Sequence, residues 1–327
     1  MQCHAFLPHA GKIRRRVVPI GALRGVAPLL GGCQVALLDP EGPIGAAEKS
    51  IILFATGLML IVVVPVIVLT LAFAWRYRAS NSDAVYAPEW DHSRAIETVV
   101  WAVPCLVIAA LGTVTWISTH ELDPYRPIAA AAKPIPVEVV SLDWKWLFIY
   151  PEQGVASVNE LAMPVGVPVA FRLTSSSVMN SFFIPELGSQ IYTMAGMQSR
   201  LGLMASRPGS YEGFSTNYSG DGFSGMRFIA RAMSEADFTS WVAKARDASE
   251  ALTLSSYRVL ARPSEDVPVR YYGSVAPTLY HDILNQCTSG GPCEDTEMNL
   301  AMAKEALGSF FSLCTPADPK GAPRETP

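Results

Sequence analysis

The chain has 327 residues, half of them hydrophobic and 17% charged. Its mean hydropathy of +0.25 is high for a soluble protein, and its length allows roughly one to three domains. A net charge of −4 without a basic stripe argues against nucleic acid as a partner. Cys3, Cys33, Cys105, Cys287, Cys293 and Cys314 form no Cys-x-x-Cys pair, which excludes a zinc ribbon and a thioredoxin motif.

Residues 1–32 read as an export signal. Lys12, Arg14, Arg15 and Arg16 form a basic stretch, and Val17 to Leu30 is mostly apolar, with Arg24 interrupting it. Leu30-Gly31-Gly32-Cys33 then resembles a bacterial lipobox, in which the cysteine is acylated and becomes the first mature residue. An uncleaved leader with an incidental cysteine is the competing reading.

After a segment at 33–50, Ile51 to Ala74 is a run of 24 uncharged, mainly aliphatic residues, closed by Trp75-Arg76-Tyr77-Arg78. At about 1.5 Å per residue it exceeds the roughly 30 Å hydrocarbon core of a bilayer. Pro65 is tolerable within it, because neighbours can re-satisfy the freed carbonyl. Thr98 to Ser118 supplies a second uncharged run of 21 residues, with Trp101 and Trp116 near its ends as interfacial anchors. The expectation is a transmembrane hairpin with spans at 51–75 and 96–118. The connection at 76–95 holds Arg76, Arg78 and Arg94 against Lys49 alone in the mature segment at 33–50, so it is expected to be cytoplasmic and both chain ends external.

Pro124, Pro127, Pro134 and Pro136 make a stiff linker over 119–134, and period-2 patterns follow. Strands are predicted at Pro136–Val140, Val167–Leu173, Ser199–Met204 and Arg227–Ala230, with turn residues such as Arg207-Pro208-Gly209 between them. This predicts an antiparallel sandwich or barrel over 135–233. Ser234 with Asp237 three residues on opens a helix, roughly as a capping box, and Phe238, Trp241, Val242 and Ala245 give it one apolar face. Another short helix is expected at Ala276–Gln286 within a helical region at 234–314. The tail at 315–327, rich in Pro and charge, reads as disordered.

Three stretches carry a resemblance. They are Val140-Ser141-Leu142-Asp143-Trp144-Lys145-Trp146, Ser177 to Pro185, and Ser215-Thr216-Asn217-Tyr218-Ser219-Gly220-Asp221-Gly222-Phe223-Ser224-Gly225-Met226. Together with the order of features along the chain, they resemble subunit II of the haem-copper oxidases. That implies a two-helix hairpin, an extracytoplasmic all-β domain of the cupredoxin-like Greek-key kind, and C-terminal helices. In the cytochrome c oxidases of this family a histidine precedes Ser-Phe, and ligands spaced C-x-E-x-C-x3-H-x2-M hold a binuclear copper centre. Here those positions are Asn180, Ser215, Asn217, Ser219, Phe223 and Met226. The spacing survives, whereas Met226 alone keeps its ligand type. Independently of any alignment, there is no histidine between His120 and His281 and no cysteine between Cys105 and Cys287. Such a copper site wants thiolate and imidazole.

This departure resembles the quinol oxidase branch, the cytochrome bo-type enzymes, as do Gly196-Met197-Gln198-Ser199-Arg200, Asp143 to Gly154, and the lipobox start followed by Leu37-Leu38-Asp39-Pro40. The resemblance implies a structural subunit of a proton-pumping complex in the bacterial inner membrane, which oxidises ubiquinol or menaquinol and reduces dioxygen to water. The chain itself is expected to hold no cofactor, no metal and no catalytic residue. The haems and copper belong to partner subunit I, and subunits III and IV are further partners. Glu97, at the start of the second span, reads either as a carboxylate favoured by the helix dipole or as a group through which protons enter subunit I. Trp144, Trp146, Phe148 and Tyr150 at period 2 read as one packed strand face rather than a redox relay. Met226 reads as a core residue, and Asn180, Ser215 and Ser219 as polar filling that should find hydrogen-bond partners. Cys287 and Cys293 flank a Ser-Gly-Gly turn and can pair, while Cys105 reads as a buried membrane thiol. Two competitors stand. A lipid-anchored cupredoxin-like scaffold outside respiration would purify without haem, and a cytochrome c oxidase subunit II would bind copper.

Overall fold

The computed structural model describes residues 36–313, Tyr86 excepted. The leader, Cys33, Cys314 and the tail at 315–327 lie outside the described residues.

Two long helices come first, α1 (Pro43–Arg76) and α2 (Arg94–Glu121). Pro43 stands at the first helical position, where no backbone donor is needed. Pro65 and Pro104 lie inside the helices without ending them. Half-buried positions recur at Ile51, Ala55, Leu58 and Val62 on α1 and at Val103, Val107, Leu111 and Val114 on α2. That alternation of three and four residues marks the seam of the hairpin. Most other side chains of both helices are exposed, Cys105 among them. Its thiol therefore lies on the outer surface of the hairpin.

α1 begins at Pro43, eight residues ahead of the apolar run at Ile51, and its 34 residues span about 51 Å, well beyond the hydrocarbon thickness. The surplus turns dock on the β domain. Gly45 is buried there, its N–H donates to Leu187 O (3.1 Å), Glu41 N–H donates to Glu186 O (2.7 Å), and Ser206 N–H returns to Glu41 O (2.7 Å). A Cβ on Gly42 would lie 2.5 Å from Met204 O, so only glycine lets the chain pass so close.

The β domain comprises β1 (Ile135–Leu142), β2 (Lys145–Tyr150), β3 (Val155–Val158), β4 (Glu160–Pro164), β5 (Val169–Ser175), β6 (Asn180–Ile184), β7 (Gly188–Thr193), β8 (Ser199–Leu203), β9 (Gly209–Ser215) and β10 (Arg227–Met233). After it come α3 (Glu235–Arg246), β11 (Ala251–Leu252), α4 (Leu254–Leu260), β12 (Arg270–Tyr272), β13 (Ser274–Val275), α5 (Leu279–Leu284) and α6 (Glu294–Leu313). One sheet has the order β12-β3-β2-β1-β5-β8 and the facing one β4-β10-β9-β6-β7. Both are mixed rather than purely antiparallel, since β1 runs parallel to β5 and β4 to β10. Trp146, Phe148, Phe182 and Phe228 interlock between the sheets, ring centroids 5.1 to 6.3 Å apart.

Region 234–314 is not simply helical. β12 extends the first sheet, and residues from Leu252 to Ile283 bury the outer side of that sheet in a second core with Val140, Leu147 and Ile149. The capping box at Ser234 is half formed. Its hydroxyl accepts from Asp237 N–H (3.1 Å), but the Asp237 carboxylate takes the Ser234 hydroxyl (2.7 Å) and not the backbone donor. Cys287 and Cys293 do pair, and the bridge joins the end of α5 to the start of α6.

Glu160 ties the C-terminal elements to the sandwich. Its buried carboxylate accepts from Trp241 Nε1 (2.8 Å) on α3, Tyr271 Oη (2.5 Å) on β12 and Arg231 Nε (2.7 Å) on β10. Burial alone would raise its pKa; the three donors outweigh burial and leave it below the ordinary value. A depressed carboxylate pKa adds stability above the unfolded-state value of about 4.3 and loses it as pH falls through the folded-state value. Thermal unfolding of the purified chain, followed by circular dichroism, should therefore drop in midpoint below about pH 4.3. Glu160→Gln should flatten that dependence and lower the midpoint at neutral pH.

Candidate functional site

The candidate site lies where β6, β9 and the start of β10 meet. Asn180 opens β6 and Ser215 closes β9, and Phe182 pairs with Ser215 across the two strands. The loop after β9 then folds into a short helical turn at Asp221–Gly225 and returns at Met226, whose carbonyl accepts from Ser215 N–H (3.2 Å). Asn180, Ser215 and Met226 are all buried.

Local hydrogen bonds use up most of the polar atoms at this site. Ser215 Oγ donates to Asn180 Oδ1 (3.1 Å) and accepts from Ser181 N–H (3.4 Å). Asn180 Nδ2 donates to Val178 O (3.3 Å), and Asn217 Nδ2 to Met179 O (3.0 Å). Phe223 packs edge-on to Tyr218, ring centroids 5.7 Å apart. Met226 joins the inter-sheet core, as expected of an apolar residue. Ser219 departs from expectation, because its hydroxyl is buried without a partner among the described residues while its carbonyl accepts from Trp144 Nε1 (3.1 Å). Ser215, Phe223 and Met226 also line an open cavity of 310 Å³.

Trp144 does not belong to the strand face on which Trp146, Phe148 and Tyr150 point into the core. It occupies the β1–β2 turn in the left-handed region, φ 65°, a conformation that costs a non-glycine residue about 1–3 kcal/mol. Its indole lies across Gly220 and Gly222. From the other side Glu265 presses on Gly222, and Lys145 holds that segment in place. The buried Lys145 ammonium donates to Asp143 O (3.0 Å), Arg262 O (2.9 Å) and Ser264 Oγ (2.7 Å). Burial lowers its pKa, and Asp143 partly restores it. Neither the Lys145 clamp nor the Glu265 contact shows in hydrophobic periodicity.

The assembled donor set is one thioether, two amides and hydroxyls, with neither thiolate nor imidazole, so it does not suit a binuclear copper. Elsewhere His281, Asp282 and Cys293 cluster within metal-ligand reach, but the Cys293 sulfur is committed to the disulfide. Glu97 lies far along the chain from this site, exposed in the first turn of α2, with no ion-pair partner among the described residues.

Comparison with known proteins places this geometry. Residues 106–233 match the family described as cytochrome c oxidase subunit II, periplasmic domain, and residues 246–291 match the COX aromatic rich motif. The second match falls on the segment that covers the first sheet. Over 272 residues the chain is 58% identical to the cytochrome bo(3) ubiquinol oxidase subunit 2 of Pseudomonas aeruginosa, covering 82% of each chain. The chain belongs to the ubiquinol oxidase subunit 2 family. It is also 52% identical over 304 residues to ubiquinol oxidase subunit 2 of Acetobacter aceti, covering 92% of this chain and 98% of that one. The β domain is thus the cupredoxin-like domain of the haem-copper oxidase subunit II family, and the two apolar helices anchor it to a membrane.

A Cβ at Gly222 would lie 2.5 Å from the Trp144 indole and 2.6 Å from Glu265. Gly222→Ala should cost about 1–3 kcal/mol of stability, as overpacking does. In chemical denaturation, Trp144→Ala combined with Gly222→Ala should cost less than the sum of the two single changes.

Proposed function

We propose that this chain is the second subunit of a proton-pumping respiratory complex that oxidises a quinol, reduces dioxygen to water and carries its redox groups in other subunits. The observation that carries the reading is the donor set at Asn180, Ser215, Asn217, Ser219, Phe223 and Met226. The ligand loop keeps its length, yet the side-chain polar atoms of Asn180, Ser215 and Asn217 are spent on each other and on backbone. A copper relay serves a soluble electron donor outside the membrane, whereas a quinol delivers electrons within it. The relatives' names point to ubiquinol as that donor. Haems and copper are assigned to partner subunit I, and subunits III and IV complete the assembly. No group of this chain takes a redox step. Its own residues brace subunit I with two helices and cap it on the outer face.

The arginine-rich connection between the helices is assigned to the cytoplasm and the cupredoxin-like domain to the periplasm, supported by Arg76, Arg78 and Arg94 against Lys49 alone. Cys33 is assigned as the acylated first residue of the mature chain. Glu97 then sits at the cytoplasmic edge of the bilayer, where an ionisable side chain facing a partner can pass protons inward.

Three measurements test these assignments. Affinity purification of the tagged chain from its native membrane should bring down a multi-span haem protein with quinol oxidase activity; a haem-free preparation overturns the reading. Incubating the chain with Cu(II) should produce no thiolate-to-copper absorption band from this site, since no cysteine lies near it among the described residues. Glu97→Gln should slow quinol-driven oxygen consumption severalfold at unchanged haem content. Wild-type turnover in that variant would reduce Glu97 to a helix-dipole partner.

A further inference from the structure

The end of α5 and the start of α6 bring together four donor groups that the oxidase reading does not use. They are His281 and Asp282 on α5, Cys287 just past its end, and Cys293 just ahead of α6. The donor atoms of His281, Asp282 and Cys293 lie within 4.8 Å of one another. Cys287 Sγ lies 4.0 Å from Asp282 Oδ1. While the Cys287–Cys293 bridge is closed, neither sulfur is a thiolate, and the cluster offers one imidazole and one carboxylate.

The imidazole is already turned as a metal ligand would be. Its Nε2 lies 3.0 Å from Asp295 Oδ2, and an ionised carboxylate there fixes the proton on Nε2. The lone pair of Nδ1 is thereby left facing Asp282 Oδ1 at 3.5 Å. Two acceptors face each other with no donor between them. Nitrogen and oxygen ligands of one tetrahedral zinc, bonded at about 2.0–2.2 Å, stand about 3.4 Å apart. The other Asp282 oxygen is taken by the Thr278 hydroxyl (3.0 Å), which leaves Oδ1 free to ligate. Asp295 then completes the carboxylate–histidine–metal arrangement that orients a ligating ring.

The two cysteines stay opposed without their covalent bond. Glu294 N–H donates to Asn285 O (3.0 Å), Cys287 N–H to Asp282 O (3.0 Å) and Gly290 N–H to Cys287 O (3.1 Å). Gly290 makes that turn at φ 96°, a conformation open to glycine. Arg258 on α4 fastens the loop from outside through Thr288 O. None of these bonds involves sulfur. Two thiolates on one zinc stand roughly 4 Å apart, each about 2.3 Å from the metal. Side chains whose Cα atoms are 4.6 Å apart reach that spacing by rotation.

We infer that the Cys287–Cys293 disulfide masks a zinc site, which reduction opens as Cys287 Sγ, Cys293 Sγ, His281 Nδ1 and Asp282 Oδ1. The reductant is a dithiol. One of its thiolates attacks Cys293, the less buried of the pair, and its second thiol displaces the mixed disulfide. The bridge gains two electrons and two protons as two thiols, and the reductant leaves as its own disulfide. Zinc then displaces the thiol protons on binding. Thiolate, imidazole and carboxylate together suit zinc, whereas calcium and magnesium take oxygen ligands. The inference needs only the α5–α6 junction, so it stands or falls separately from the quinol oxidase assignment.

The test is zinc titration of the full-length chain, purified with whatever subunits accompany it, against a chromophoric chelator. One sample is left oxidised, and the other is reduced with a dithiol that is then removed under inert gas. The reduced chain should bind a further equivalent of zinc, and cobalt(II) in its place should give a thiolate-to-cobalt absorption band. Cys287→Ser with Cys293→Ser should abolish both signals, while Cys105→Ser, at the other described thiol, should leave them unchanged. Asp295→Asn should weaken zinc binding by roughly ten- to a hundredfold without removing the cobalt band, as loss of an orienting partner does. His281→Gln with Asp282→Asn should weaken it further, at an unaltered thermal midpoint of the oxidised chain. Equal zinc uptake by oxidised and reduced chain overturns the inference, as does full affinity in the His281 and Asp282 double variant. So does a reduced chain that loses its thermal transition and takes up no zinc, since the backbone would then not have held the ligands together.

Discussion

Every residue of β2 from Lys145 to Tyr150 is buried, and a strand can be buried on both faces only if something covers each side of its sheet. The inner side is covered by the second sheet, through Trp146, Phe148 and Tyr150. The outer side is covered by the segment from Leu252 to Ile283, against Leu147 and Ile149. This second cover is why the C-terminal region cannot be an independent helical appendage. It must lie flat on the sheet, add β12 to its edge, and be fastened. Glu160 and Lys145 fasten it: the Glu160 carboxylate accepts from three separate segments, and the Lys145 ammonium ties the β1–β2 turn to Arg262 and Ser264, hydrogen bonds that offset the desolvation of each buried ion.

The same cover supports the loop at the candidate site. A cupredoxin-like loop that holds metal is drawn tight by its ligands. Here the tightening comes from outside, from Trp144 and Glu265 pressing on glycines, and from within, from the Ser215–Asn180 hydrogen bond. The strained backbone of Trp144 fits this account. A left-handed tryptophan persists only where its surroundings over-determine it, and its indole is held by the Ser219 carbonyl and the glycine surface below. The Ser219 hydroxyl, buried without a partner among the described residues, is the unsatisfied group of this loop.

What the sequence made legible follows from how local each signal is. The two spans, the strands at Ile135, Val169, Ser199 and Arg227, and the helix after Ser234 each rest on patterns within about ten residues. The convergence of Asn180, Ser215 and Met226 was legible through resemblance alone, since 46 positions separate the first from the last. Period-2 reasoning failed for Trp144, because the turn ends the alternation one residue before β2 begins. The apolar run at Ile51 did not show where α1 starts. Hydropathy marks where a helix enters lipid, and Pro43 to Ser50 are helical for another reason, their docking on Leu187 and Met204. Glu160 gave no sign at all, for its three donors come from residues 71, 81 and 111 positions away.

The docked end of α1 also bears on how the membrane and external parts act together. A hinged connection would need slack, and here there is little. Glu41 is hydrogen-bonded through its backbone on both sides, its carboxylate lies 2.8 Å from the Arg207 guanidinium, and Glu48 accepts from Ser189 one turn into the helix. The helix therefore continues from the bilayer into the sandwich as one rod. The height of the β domain above the membrane is set by the length of α1 beyond its apolar run, not by the proline-rich linker. A membrane-anchored subunit acts on its neighbours in part by where it holds its surface. A rigid rod fixes that position more tightly than a flexible tether would.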